Sequence, residues 1–399
     1  MRIGTPGFVG ERLTEARAAR RIASKSALAR QLCINVSTVA RWEDGSSTPD
    51  ADALTQLANK LYVRREFFLR PIVRSSRPMF YRSLSSTLVR DLDYQHSQMA
   101  WLQEISSILQ HYIDFPAIDI PDVLKGASYK QLRDADIEGI ALDLRRHWQL
   151  GDGPCGDVVN LLERKGFVVS AIEMNTSKLD GLCAWADSDE RPHILLATDK
   201  MSFARRQMDA AHEMAHALLH KDVTQQDLKE DLKTIEAQAF RLASAFLMPS
   251  TTYPHEVTTI SLAKLESLKE RWRVSIKAQI QRLSDLEIID YNRKVELYKL
   301  YSAKGWSKCE PLDRELPISE PSFLKDSLTL IANAGVRTKS DLLAVEFTMS
   351  AGDIENIAAL PAGWFNERVG HIVQLNTNSQ SPNLPNLEGA AKILQFRKT

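Results

Sequence analysis

The chain has 399 residues, 44% of them hydrophobic and 26% charged, and its 51 Lys and Arg balance its 51 Asp and Glu. That composition excludes a disordered or fibrous chain and leaves room for two to four globular domains. No apolar run approaches a bilayer span, the start lacks the basic-then-apolar pattern of a signal peptide, and the cysteines at 33, 155, 183 and 309 have no C-x-x-C spacing, so a cytoplasmic location without a membrane partner is expected.

The neutral total hides an uneven distribution. Residues 1–90 carry sixteen Lys or Arg against seven Asp or Glu, the kind of local excess that phosphate contacts require. Within it, residues 26–32 read as a short helix, 34–36 as a turn and 37–43 as a second helix, with Ser37 as N-cap and Gly45 as its stop. Pro49 opens a further helix, in which Leu54, Leu57, Ala58 and Leu61 keep helical spacing. This is a helix-turn-helix bundle over about residues 9–69.

The stretch Ser37-Thr38-Val39-Ala40-Arg41-Trp42-Glu43-Asp44-Gly45 resembles the recognition helix of Xre/Cro-type repressors, as do Arg12-Leu13 and Leu28-Ala29 in their places. The resemblance implies a DNA-binding domain over residues 1–70. It would act as a homodimer on a palindromic double-stranded operator, with Lys25, Ser37, Thr38 and Arg41 toward the DNA and Val39 and Trp42 toward the core. The other reading is a helical interaction domain whose basic face is solvated. Cys33 stands in the turn where such domains usually have Gly, and Val36 stands where a polar residue is common.

Residues 71–150 follow as a linker and helical segment. Residues 70–92 are basic and rich in Ser, and residues 94–112 and 137–148 have helical spacing. Residues 151–250 then alternate helix with short strands at 167–171, 182–186 and 193–197. A small antiparallel sheet beside a helix is expected, with an edge that could hold an extended peptide.

That helix carries His212-Glu213-Met214-Ala215-His216 inside the apolar run 208–219. Positions i and i+4 share a helix face, so both imidazoles can reach one zinc ion, with Glu213 placed to act on a water activated there. A catalytic zinc takes a third protein ligand. Glu236, on the apolar stripe of a second helical run at 231–249, is the main candidate and His220 a lesser one, while an exposed Glu236 at the stripe's edge is the plain alternative. Arg205, Arg206, Tyr253 and His255 could aid an oxyanion, or could be a solvated face and loop packing. Asp209 could orient a histidine, or be merely exposed.

Over about residues 151–249 the chain resembles the ImmA/IrrE family of zinc metallopeptidases. The resemblance rests on Gly151-Asp152-Gly153-Pro154, Leu161-Leu162-Glu163-Arg164-Lys165-Gly166, Asp180-Gly181-Leu182-Cys183-Ala184-Trp185, Arg191-Pro192-His193-Ile194, the motif helix and the run from Glu236 to Pro249. It implies zinc held by His212, His216 and Glu236, Glu213 as general base, and a protein substrate such as a repressor or antitoxin. Cys183, on a strand near the metal, is a possible regulatory ligand for the open position, or a buried apolar cysteine.

Residues 251–312 read as a helical extension and 313–399 as a C-terminal helical module with a polar linker at 376–386 and a last strand at 391–397. The whole is expected to be mainly α, with an N-terminal helix-turn-helix bundle, a central zincin-like α+β peptidase and a helical extension. The expected function is a DNA-binding transcriptional regulator with a zinc-dependent endopeptidase. The alternative is a non-catalytic regulator or antitoxin whose peptidase fold serves as a sensor.

Overall fold

The computed structural model describes residues 3–72, 77, 79–80, 89–176, 179–199, 202–366 and 395–396. Backbone contacts divide the chain into two units. One holds Met1–Val73, Leu92–Pro116 and Ser322–Thr399, and the other holds Arg74–Asp91 and Ala117–Pro321. The fold is mainly helical with a small three-stranded sheet, as the sequence implies, and a separate two-stranded pairing.

The first unit begins with α1 (Gly10–Ala19), α2 (Lys25–Leu32), α3 (Val36–Glu43) and α4 (Ala51–Leu61). Ser24 opens α2 by accepting the Ala27 amide, and Cys33 closes it in the left-handed region at φ 55. A side chain therefore occupies the conformation for which such turns favour glycine. Helix α3 starts earlier than the sequence suggests. Asn35, not Ser37, is its N-cap, because Asn35 is the last residue with extended backbone and Ser37 already lies inside the helix. Leu13, Ala16, Leu28, Val39, Leu57 and Leu61 form the interior. A Cβ on Gly10 would lie 2.2 Å from the Trp42 carbonyl oxygen, so only glycine lets α1 begin against the end of α3. The chain continues in α5 (Val89–Leu109), where Glu104 pairs with the buried Arg12 guanidinium at 2.9 Å, and in β1 (Ile113–Asp114).

The second unit holds α6 (Asp134–His147), α7 (Val158–Arg164), β2 (Val168–Ile172), β3 (Gly181–Trp185), β4 (Pro192–Ala197), α8 (Phe203–Leu219), α9 (Gln225–Leu247), α10 (Tyr253–Glu256), α11 (Leu262–Trp272), α12 (Ile276–Asp285) and α13 (Tyr291–Ala303). The sheet order is β2-β4-β3. It is small, as expected, but mixed rather than wholly antiparallel: β4 runs parallel to β2 and antiparallel to β3. The continuous apolar run Ile194-Leu195-Leu196 suits a central strand buried on both faces, so β4 inserts between β2 and β3 and leaves β3 at the edge. Helix α8 packs on β3 and β4, and α9 along α8. Helix α9 starts at Gln225 rather than 231, because Thr224 and Asp227 form a reciprocal cap before it.

The chain then returns to the first unit with α14 (Phe323–Asn333), α15 (Lys339–Asp341) and α16 (Ala351–Ile357). Arg20, the C-cap of α1, donates to Asp353 on α16 at 2.7 Å, and Val63 bridges Met349. The two sequence ends thus build one body, closed by β5 (Gln395–Phe396) pairing with β1. The polar linker read at 376–386 lies outside the described residues. No described helix is long and apolar enough to cross a membrane.

Candidate metal centre

Ser202 caps α8 by accepting the Arg205 amide, and the apolar run that follows keeps the helix regular through both histidines. His212 and His216 therefore stand one turn apart, buried, with their Nε2 atoms 3.1 Å from each other. Glu236 reaches them from α9. Its Oε2 lies 3.4 Å from His212 Nε2 and its Oε1 3.3 Å from His216 Nε2. One donor atom from each of the three residues lies within 4.8 Å of the others. Zinc bonds of about 2.0–2.2 Å at tetrahedral angles place donors about 3.3–3.6 Å apart. The His212–His216 separation is close to such an edge, each imidazole has its own Glu236 oxygen at 3.3–3.4 Å, and one donor from each residue converges on a common space, so the set suits zinc and leaves one position open. Burial raises the Glu236 pKa, but hydrogen bonds and charge from His212 and His216 outweigh it and hold the carboxyl well below its ordinary value. The plain reading of Glu236 as an exposed edge residue does not hold.

Glu213 is buried beside its neighbours. Its carboxylate lies against Gly181 on β3, where an added Cβ would come within 2.7 Å of Oε1. Only glycine at 181 leaves room for that carboxylate, a requirement that spacing along α8 does not reveal.

His220 does not join the donor group; it orients one of its members. A carbonyl oxygen only accepts, so the 2.7 Å bond at Tyr129 O fixes the Gln238 amide with Nε2 toward it and Oε1 toward His220. His220 Nε2 must then donate to Oε1 at 3.1 Å, which leaves its Nδ1 to accept from His216 Nδ1 at 3.1 Å. The proton of His216 is thereby held on Nδ1, and its Nε2 lone pair faces the donor group. Burial above all pushes His220 down to about 3, so it stays neutral, as this chain of bonds demands. Sequence reading missed Gln238. The available signal was a polar residue in the apolar stripe, three positions after Ile235 and four before Leu242.

Two phenylalanines flank the histidines. Phe240 lies with its ring centroid 4.2 Å from that of His212 and forms one wall of a cavity of about 690 Å³, which Arg205, Met208, Tyr301 and Trp306 also line. Phe80 stacks on His216 at 4.9 Å and 10°, and its amide donates to the Cys183 carbonyl oxygen at 3.2 Å.

The remaining residues singled out in the sequence fall elsewhere. Cys183 is fully buried in the core, and its sulfur is not among the converging donors. Burial, then the charge of Glu213, raises its pKa well above the ordinary thiol value, so the thiolate that a ligand would need is disfavoured. Arg205 pairs with Asp180 at 2.6 Å and with Asp209 at 3.7 Å, while Arg206 is buried rather than solvated. Tyr253 is core, bonded to Gln279 at 3.0 Å. In the first unit, Ser37 and Arg41 are exposed, Thr38 is half-buried, and Val39 and Trp42 face inward. Lys25 sits 3.5 Å from Glu43, a carboxylate that Arg17 also holds at 2.7 Å.

No curated protein matches the chain. Residues 162–284, which run from the end of α7 through the sheet, both donor helices and α12, match the family model Peptidase_M78, described as the IrrE N-terminal-like domain.

Proposed function

We propose that the second unit is a zinc-dependent endopeptidase acting on a protein partner, with His212, His216 and Glu236 as metal ligands. The observation that carries this reading is the convergence of donors from His212, His216 and Glu236 within 4.8 Å of one another beside a buried Glu213, inside the segment that matches a peptidase family. Zinc, when bound, supplies Lewis-acid activation of water and of the scissile carbonyl. Glu213 takes a proton from the attacking water and returns it to the leaving amine. The relay from Tyr129 through Gln238 and His220 keeps His216 in the tautomer that binds metal. The cavity walled by Phe240, whose ring lies against His212, offers room for substrate side chains on that flank.

The first unit, on this reading, binds a palindromic operator as a homodimer and makes the chain a transcriptional regulator in the cytoplasm. Exposed Ser37 and Arg41 over an inward Val39 and Trp42, together with the basic excess of residues 1–90, support it. The substrate is a repressor or antitoxin-like protein cut at few bonds. The test is metal analysis of the purified chain, followed by incubation with proteins encoded beside its gene. One zinc per chain, and cleavage lost in Glu213→Gln with the metal retained, is the expected result. A chain that takes up no zinc without chelators present overturns it.

A further inference from the structure

Within the second unit, the outer edge of β3 is already in use. Hydrogen bonds from Ala197 N to Asp180 O and from Ala186 N to Arg191 O turn the even-numbered backbone groups of β3 toward β4. By the two-residue period of a strand, Gly181, Cys183 and Trp185 turn theirs outward. Phe80 takes the middle of that edge: it forms an antiparallel bridge with Cys183 and is 2% exposed. Three residues earlier, the Arg77 guanidinium lies 5.7 Å from the Trp185 ring centroid, and its Nη2 is 3.6 Å from Glu190. Arg77 and Phe80 therefore meet β3 in the order antiparallel pairing requires. The Phe80 ring enters the space bounded by His216, His220 and Tyr129, at 4.9 Å from a metal-ligand imidazole. A polypeptide laid along an exposed strand edge uses the same backbone groups and sends alternate side chains into such pockets.

We propose that the outer edge of β3 is the docking position for an extended peptide with a basic residue three places before a large aromatic one, and that Arg77 and Phe80 of the chain itself hold that position until such a peptide displaces them. The inference deepens the peptidase reading and rests on it: the partner would present an unfolded Arg/Lys-x-x-Phe segment, its aromatic ring over His216 and its cation over Trp185.

The test reads binding, which needs no hydrolysis. A fluorescein-labelled peptide with the sequence of residues 75–83 is titrated by fluorescence anisotropy into full-length Glu213→Gln and into Glu213→Gln/Phe80→Ala. Loss of the resident ring should tighten binding about tenfold, and replacing the peptide's own Phe by Ala should weaken it by a similar factor. Should Phe80→Ala fail to fold, Phe80→Leu keeps most of the apolar volume without the stack and is expected to show a smaller shift in the same direction. Equal affinity in the presence and absence of Phe80, or indifference to the peptide's aromatic residue, overturns the inference. If the shift appears in a chain whose Glu213-bearing form cleaves nothing, the docking edge stands and the peptidase reading falls. If that form cleaves proteins at a rate that Phe80 does not influence and the shift is absent, the docking edge falls alone.

Discussion

The helix pair α8–α9 and the helix pair α2–α3 carry their polar residues in opposite ways. In α8–α9 the residues that matter are buried and cross-braced: His212, Glu213, His216, His220 and Gln238 all have little exposure. In α2–α3, two of the four residues nominated for contact, Ser37 and Arg41, lie open to solvent, and the other two, Lys25 and Thr38, are half-buried. A buried polar group must find a partner inside the molecule, and that need fixes its geometry in the fold. An exposed one awaits a partner from outside. The first pair should therefore respond to substitution sharply and through its neighbours, the second weakly and one residue at a time.

The largest expected effect breaks the first pair. His216→Ala should take zinc from about one per chain to near none. Glu213→Gln should keep the metal and lower hydrolysis by about 10²–10⁴-fold. Metal analysis paired with a cleavage assay separates the two. Loss of zinc from Glu213→Gln would show that Glu213 is a ligand and not a base.

Next comes Gly181→Ala, outside either helix. Its new Cβ, 2.7 Å from the Glu213 carboxylate in the present geometry, must push the carboxylate aside. A displacement of that order costs about 10²-fold in rate with zinc retained. Unchanged kcat in a zinc-loaded Gly181→Ala chain would mean that Glu213 tolerates a second position.

A smaller effect tests the bracing itself. Gln238→Leu removes the acceptor that holds the proton of His220 on Nε2, and so frees the tautomer of His216. Zinc affinity should fall about 10–100-fold in a chelator competition, with the melting curve little changed. A Gln238→Leu chain that binds zinc as tightly as the parent would show that the relay is packing alone.

The second pair should give graded results. If α3 reads DNA, Arg41→Ala should weaken specific binding by about 1–3 kcal/mol, and affinity should fall steeply with salt. Lys25→Ala should change it least, by less than about 0.5 kcal/mol, because Lys25 is drawn toward Glu43. Titration of each variant against the operator ranks them. A Lys25 effect as large as that of Arg41 would erase the contrast between braced and open residues at this position.

The spacing of His212 and His216 was legible because a helix face repeats every three to four residues, whatever surrounds it. Glu236 was legible for a related reason, as a carboxylate on an apolar stripe, and Val39 and Trp42 as inward members of their own helix. Three short strands were legible within a residue or so of their ends. Their order was not, because local pattern states that a strand is buried but not which neighbour covers it. The start of α3 at Val36 and of α9 at Gln225 escaped for another reason: several residues in each stretch can cap a helix, and backbone geometry chooses among them.

By itself, then, the sequence determined which elements form and which side chains share a face, since both follow from chain periods of two and of 3.6 residues. Tertiary structure alone decided everything that depends on contacts between residues far apart in the chain. It set Gly181 against Glu213 and Tyr129 behind Gln238 and His220, laid Phe80 along β3, and joined the C-terminal helices to the N-terminal ones. Those contacts are selected by burial and by the requirement that buried polar groups be paired, conditions that the packed molecule satisfies and no single segment can express.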